Sequence, residues 1–145
     1  MFGAQPARPR QRVLEATAAA SVLAGAPSLA VALSREGIVG TWRYGVRATR
    51  AIGVLVPPGR PNLIVGVLAH FGISAAAGEV FGRFLPVRHS IAWGAAGGAV
   101  MGLVNVGLIG RRFPAIRDLP FGRQIADNVA FGVIFAAVAD RGPLE

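Results

Sequence analysis

The sequence predicts an all-α protein, a four-helix transmembrane bundle with an interfacial amphipathic helix between spans 1 and 2. Three observations lead to this fold. Hydrophobic residues make up 53% of the chain and charged residues 15%, whereas a typical soluble domain is about 25% charged. Arginines are concentrated between long apolar stretches. One stretch, Ile91 to Gly110, carries no formal charge over 20 residues, and a helix of that length spans about 30 Å, the hydrocarbon thickness of a bilayer.

The N-terminal part predicts a short tail followed by the first span. Residues 1–12 are rich in proline and arginine and form the basic tail. Residues 13–34 are apolar apart from Glu15 and small hydroxyls. A cleaved signal peptide is the alternative, but the apolar run is longer than a usual signal core and three more spans follow. We expect Pro27 to kink this helix, and Ser28 to help satisfy the backbone groups that the kink frees.

Residues 35–61 predict a helix that lies in the membrane interface. Arginines recur at helical spacing on one face, at Arg43, Arg47 and Arg50. Apolar side chains fall on the adjacent face: Ile38, Trp42, Val46 and Ile52. A basic face beside an apolar face is typical of a helix at the headgroup level. The alternative interpretation is a solvated basic loop.

Three further spans follow along the chain. Residues 62–82 predict span 2, residues 91–110 span 3 and residues 121–139 span 4, each apolar and bounded by arginines. A single integral membrane domain therefore covers residues 13–140, and residues 141–145 form a polar tail. We expect a multi-pass protein of the cell membrane, inner or plasma.

The orientation of the bundle is weakly encoded. The loops after spans 1 and 3 hold nine arginines and the opposite side holds six. The positive-inside rule therefore places the nine-arginine side in the cytoplasm. The three arginines ahead of span 1 favour the reverse: Arg8, Arg10 and Arg12.

Glycines recur on the helix faces and predict close helix packing of the glycine-zipper kind. In soluble helices glycine costs about 1 kcal/mol relative to alanine, but in membranes small residues let two backbones approach. The packing residues predicted in this way are Gly66 and Gly78 in span 2, Gly94, Gly98 and Gly102 in span 3, and Gly132 in span 4.

Polar side chains from all four spans are predicted to lie in one half of the membrane. This cluster consists of Ser28, His70, Asn105, Asp127 and Asn128. Two interpretations stay open, because polar groups at such depth must find partners. They form hydrogen bonds that hold the helices together, or His70 and Asp127 pair in a polar cavity and exchange a proton. Glu79 could add a metal ligand, but the spacing matches no metal motif.

The positive charge indicates contact with anionic lipid. The net charge is +8, and all fifteen basic residues are arginine. The candidate lipid contacts are Arg43, Arg47, Arg50, Arg111, Arg112, Arg117 and Arg123. Simple anchoring of the topology is the alternative role. The arginines do not form one continuous basic face, so nucleic acid is not an expected partner.

The sequence contains no enzyme signature. It has no phosphate-binding loop, no nucleophile elbow and no closely spaced carboxylate pair, and without cysteine it has no thiol nucleophile or thiolate metal site. We therefore predict no catalytic residue, no cofactor and no metal. The predicted function is structural or accessory, with packing against a second copy or a membrane partner through glycine-rich faces. The alternative is a small proton-coupled transporter or ion-conducting oligomer using His70 and Asp127. A weaker alternative is a membrane enzyme or lipid-binding protein with the arginine loops as a headgroup clamp.

Three segments also carry a family resemblance: ATRAIGVLVPPGRPNLIVGVLAHFGIS, GLIGRRFPAIRDLP and ADNVAFG. The chain resembles a group of small four-span membrane proteins of actinobacteria for which no activity is established. The resemblance covers residues 13–140, and its most specific part is IGRRFPAIR with the span after it. It implies a four-span fold and no particular activity. Members often carry His where this chain has Asn128, and this departure weakens a proton relay at that position.

Overall fold

The structure, a computed structural model, describes residues 8–141, and all regular elements in that range are helical. The helices are α1 (Arg10–Leu23), α2 (Ala26–Ile52), α3 (Leu63–Phe84), α4 (Ser90–Val104), α5 (Gly110–Arg112), α6 (Pro114–Arg117) and α7 (Phe121–Ala139). A 3-10 turn, Gly53–Leu55, extends α2, and a π-helical turn, Asn105–Ile109, joins α4 to α5.

Three helical stretches in the described range are long and apolar enough to cross a membrane: Arg10–Leu55, Leu63–Phe84 and Ser90–Arg112. They indicate a membrane protein. The remaining long helix, α7, has 19 residues, but charged and amide side chains in its first two turns lower its apolar character. The helical fold class and the presence of helices long and apolar enough to cross a membrane are therefore as the sequence predicts.

The helices bury small residues and expose large apolar ones. The side of α4 that faces the bundle consists of Ser90, Gly94, Gly98 and Gly102. On its outer side Val100 is 61% exposed, and on α3 Leu68 is 69% exposed. A soluble helix turns its large apolar side chains inward, and a contiguous apolar exterior marks a membrane or partner surface. This inverted distribution fits a hydrocarbon solvent around the helices.

The helix α7 lies at the centre of the bundle, with α1, α2, α3 and α4 packed around it. Its inner residues Phe131 and Phe135 meet Phe81 of α3, with ring centroids 6.0 and 5.6 Å apart. The same core contains Ala16 and Ala20 of α1.

The contact between α4 and α7 depends on glycine. A methyl group built on Gly94 would overlap the carbonyl of Gly132, and one on Gly98 would overlap the carbonyl of Asn128. A methyl group on Gly102 would lie 2.9 Å from Ile125 Cδ1. The two backbones therefore approach as closely as glycine permits, which maximises packing between helices.

The other two predicted packing glycines also lie at contacts within the chain. A methyl group on Gly66 of α3 would overlap the Thr49 carbonyl of α2, and one on Gly78 would overlap the Thr17 side chain of α1. All six glycines therefore serve contacts inside this bundle, and their faces are occupied. The predicted packing against a second copy or a membrane partner stays a prediction.

The N-terminal half departs from the predicted tail and span boundaries. Helix α1 begins at Arg10, inside the segment predicted as a tail, and residues 1–7 lie outside the described range. The predicted first span, residues 13–34, is interrupted after Leu23, and α2 begins at Ala26 with Pro27 in its first turn. Proline tolerates a first turn because it has no N–H to donate. The predicted kink is thus a break between two helices.

No separate interfacial helix follows the first span. Helix α2 instead contains a sharp break at Gly37, whose φ of 68° and ψ of −172° lie outside the helical region. Glycine adopts such a positive φ without the penalty of a Cβ. The break divides α2 into a first arm, residues 26–36, and a second arm, residues 38–52. The arginines predicted for an interfacial helix lie on the second arm.

The two arms of α2 fold back against each other as a helical hairpin. A methyl group on Gly45 would lie 3.7 Å from Leu29 Cδ2, and the Tyr44 side chain lies beside Ser28 across the hairpin. The second arm then packs on the start of α3 and on α6, where Ala51, Val54, Ile116 and Leu119 form a second apolar cluster.

The later span boundaries shift by a few residues. Predicted span 2, residues 62–82, is α3, Leu63–Phe84. Predicted span 3, residues 91–110, is α4 with the π turn and α5, ending at Arg112. Predicted span 4, residues 121–139, coincides with α7. Of the predicted C-terminal tail only Arg141 is described.

Candidate functional site

The polar residues in the first two turns of α7 meet partners from α2, from the π-helical turn and from α6 with the loop after it. These residues are Arg123, Gln124, Asp127 and Asn128. A polar group inside a membrane protein is costly unless a protein partner satisfies it. We call these four residues and their side-chain partners the α7 polar network.

Asp127 holds the start of α2. Its Oδ1 accepts a hydrogen bond from the Ser28 backbone amide at 3.0 Å. Ser28 is the third residue of α2, so its amide belongs to the first turn, where no earlier helical carbonyl is available. Asp127 therefore caps α2 from a different helix. The Ser28 hydroxyl donates to the Gly25 carbonyl at 3.1 Å, and the Leu29 amide donates to the same carbonyl.

Tyr44, Arg123 and Glu36 extend this network along the hairpin. Arg123 Nη2 donates to Glu36 Oε1 at 2.6 Å, and its guanidinium lies 4.6 Å from the centre of the Tyr44 ring. Stacking and pairing of this kind suit the flat guanidinium group. The Arg123 side chain is only 12% exposed, so its predicted role as a lipid contact is wrong. It instead ties α7 to both arms of α2.

The two amides of the predicted cluster lie together. Asn105 Nδ2 donates to Asn128 Oδ1 at 3.2 Å, and Asn128 Nδ2 donates to the Gln124 carbonyl at 2.8 Å. Asn105 opens the π-helical turn that joins α4 to α5. Gln124 donates in turn to the carbonyls of Ile116 and Leu119, which fastens the short loop helix α6 to α7.

His70 lies apart from Asp127. Its Nε2 is 2.8 Å from the Ser21 carbonyl of α1, and its ring meets Phe71 edge to face. No hydrogen bond or ion pair joins His70 to Asp127 among the described residues, and Asp127 is occupied by Ser28. The predicted pairing of these two residues is therefore not formed, because they lie against different parts of the bent first span.

A second ionic group closes the opposite end of the bundle. Arg8 Nε donates to Asp140 Oδ1 at 2.8 Å, and Nη1 donates to the Leu85 carbonyl at 2.6 Å. The Arg8 side chain is 6% exposed. Burial alone would raise the pKa of Asp140, but hydrogen bonds from Arg8 and Ser90 and the charge of Arg8 hold that pKa below its ordinary value. Four helices thus meet at this end of the bundle: α1 and α4 by their starts, and α3 and α7 by their ends.

Six of the seven predicted lipid-contact arginines are exposed: Arg43, Arg47, Arg50, Arg111, Arg112 and Arg117. Arg47 Nη2 donates to the Asp118 carbonyl at 3.1 Å, and Arg117 pairs with Asp118 at 3.5 Å. Within the described range Arg43 and Arg50 have neither a hydrogen bond nor an ion pair.

The chemistry that this arrangement provides is limited to hydrogen bonds between helices and a basic surface of exposed arginines. Residues 8–141 contain no group of three or more His, Asp or Glu side chains placed to hold a metal ion. Three residues of the α7 polar network were not predicted from the sequence as site residues: Glu36, Tyr44 and Gln124. The sequence does carry a signal for Glu36, because it is a carboxylate in a segment with four arginines and could be expected to pair with an arginine. Nothing in the sequence pointed to Tyr44, which depends on the hairpin.

Comparison with known proteins finds no match: no protein-family model, no curated protein and no solved structure aligns with this chain. The resemblance to actinobacterial four-span proteins therefore stays a prediction.

Proposed function

We propose that this chain is a small polytopic integral membrane protein of the cell membrane with a structural or accessory role. Four segments cross the bilayer: α1 with the first turn of α2, α3, α4 with its extension, and α7. The second arm of α2 lies in the interface with its arginines at the headgroup level. Lipid is the solvent for most of the surface.

One observation carries this proposal, the inverted distribution of side-chain size. Glycine, alanine and serine fill the helix contacts, while Leu, Val, Ile and Phe side chains point outward on α1, α3 and α4. In water such a surface would expose far more contiguous apolar area than a monomeric soluble protein tolerates.

The central position of α7 supports its assignment as a fourth span. Its polar first turns would be costly facing lipid, but each polar side chain there has a protein partner. A helix surrounded by four others need not be apolar on every face. The low hydropathy of α7 is therefore consistent with a span in the middle of the bundle.

The structural role is favoured over proton transport because the polar groups form hydrogen bonds within the bundle, and His70 and Asp127 do so with different residues. A relay through His70 and Asp127 requires that the two exchange a proton directly or through water, and their partners are Ser21 and Ser28 instead. Any second copy or membrane partner would meet the large apolar side chains outside, since the glycine faces are filled. No catalytic group is part of this proposal.

Single cysteines test the four-span topology, and the chain has no native cysteine to remove. The exposed arginines at positions 60, 88 and 141 are each changed to cysteine and labelled with a membrane-impermeant maleimide in sealed, oriented vesicles. We expect Arg60→Cys to label from one side, and Arg88→Cys and Arg141→Cys to label from the other. If Arg141→Cys labels from the same side as Arg60→Cys, α7 does not cross and the four-span proposal is wrong.

A further inference from the structure

The second arm of α2 lies between two open clefts that share two arginines. The cleft toward α7 has a volume of about 500 Å³ and is lined by Arg43, Arg47, Tyr44 and Arg123, among others. The cleft toward α3 and α6 has a volume of about 440 Å³. Its lining includes Trp42, Arg43, Arg47, Arg50, Pro61 and Asp118.

Three arginines form one stripe along this arm. Arg43, Arg47 and Arg50 are spaced four and three residues apart, so they lie on one face over about 10 Å of helix. Only Arg47 has a protein acceptor, the Asp118 carbonyl. The one carboxylate in the second cleft, Asp118, is already paired with Arg117. The cleft therefore carries positive charge that the described part of the chain does not neutralise.

The walls of the second cleft combine these cations with apolar surface. Trp42, Val46, Ala51, Pro61 and Ala115 provide that surface, and Trp42 is 73% exposed. A free phosphate ion would use the guanidinium groups and leave the apolar walls in water. A phospholipid uses both, because its phosphate accepts bidentate hydrogen bonds from arginine and its glycerol and acyl carbons cover apolar side chains. Tryptophan is the residue enriched at this level of a bilayer.

We propose that this cleft is a binding site for an anionic phospholipid, whose phosphate is held by Arg43 and Arg50 and whose glycerol region rests against Trp42. The proposal rests on the interfacial position of the second arm given above. It goes beyond a general attraction of basic loops to an anionic surface, because it assigns the lipid to one cleft. The exposed arginines at the end of α5 line neither of the two clefts, so they would contribute charge alone.

The test uses two variants that lose the same charge. Arg43→Gln/Arg50→Gln alters the cleft, and Arg111→Gln/Arg112→Gln alters exposed arginines that do not line it. Each purified protein is mixed in detergent with phosphatidylglycerol or phosphatidylcholine, and retained lipid is measured by native mass spectrometry. We expect the cleft variant to retain phosphatidylglycerol about tenfold less well and the control variant to stay within about twofold of the parent. An equal loss in both variants would show general charge attraction and overturn the proposal.

A second measurement needs no arginine variant. In a Trp93→Phe protein the fluorescence of Trp42 reports on the cleft. We expect a saturable change with phosphatidylglycerol, no saturable change with phosphatidylcholine, and no reversal by millimolar inorganic phosphate. Reversal by phosphate, or the same response to both lipids, would contradict the proposal. Cysteine labelling of the topology is unaffected by these outcomes, so failure of the lipid site and failure of the four-span proposal are distinguishable.

Discussion

Asp127 on α7 accepts a hydrogen bond from the backbone amide of Ser28 on α2, at 3.0 Å from its Oδ1. The break between α1 and α2 leaves backbone groups that a continuous helix would satisfy. Asp127 supplies the missing acceptor from another helix. This contact lets the first span bend without leaving the Ser28 amide unpaired in the membrane.

Removing that acceptor should destabilise the bundle. We expect Asp127→Leu to lower the free energy of unfolding by about 1–3 kcal/mol, because the Ser28 amide loses its partner. Asp127→Asn keeps one acceptor oxygen and should cost less. Thermal unfolding in detergent measures both. Asp118→Leu is the control, since that exposed pair should change stability by less than about 0.5 kcal/mol. An Asp127→Leu protein as stable as the control would contradict the capping role.

The glycine contact between α4 and α7 makes a second prediction. Gly98→Ala places a methyl group against the Asn128 carbonyl, so the helices must separate, and we expect a loss of about 1–3 kcal/mol. Gly72→Ala is the matched control, because nothing lies within 4 Å of a methyl group there. It should leave stability unchanged or raise it by up to about 1 kcal/mol. Equal melting temperatures for the two variants would rule out the close approach.

The Arg8 and Asp140 pair predicts an acid-sensitive bundle end. The pKa of Asp140 is lowered in the folded state, so the contribution of this carboxylate to stability is present above its unfolded pKa, about 3.9. It is lost as the pH falls through the lower folded-state value. We expect the melting temperature of the parent to fall more between pH 5 and pH 3 than that of Asp140→Asn. A parallel fall in the two proteins would mean that the pair contributes nothing.

A double-mutant cycle tests the separation of His70 from Asp127. The structure gives them different partners, so the effects of His70→Gln and Asp127→Asn on unfolding should add within about 0.5 kcal/mol. The cycle between Glu36→Gln and Arg123→Gln is the positive control, and it should be non-additive because those two side chains pair at 2.6 Å. Strong coupling between positions 70 and 127 would restore the proton-relay hypothesis.

The sequence is informative where one helix is periodic in small residues. The four-residue spacing of Gly94, Gly98 and Gly102 predicts a close helix contact, and the structure has one on that face. The helix predicted at about residues 121–139 is also present, as α7. These features depend on short-range patterns, which a single helix carries in full.

The sequence is less informative where distant segments decide the outcome. The hairpin of α2 depends on one positive φ at Gly37, and no pattern distinguishes that glycine from the chain's others. The choice of partner for His70 depends on where the first span bends. Arg123 and its neighbouring arginines look alike in the sequence, and only the fold shows that Glu36 and Tyr44 take Arg123 out of the basic surface.

The central claim is that lipid surrounds the apolar exterior, and two single cysteines test it most directly. Ile73 lies at the middle of α3 and Val100 at the middle of the Ser90–Arg112 stretch, and both side chains are exposed, at 43% and 61%. Ile73→Cys and Val100→Cys are treated with a water-soluble maleimide in intact membranes, with Arg112→Cys as the accessible control. We predict that the control labels fully, that neither apolar position labels, and that both label after unfolding in detergent. Rapid labelling of either position in intact membranes would contradict the account, because it would place water where the account requires hydrocarbon.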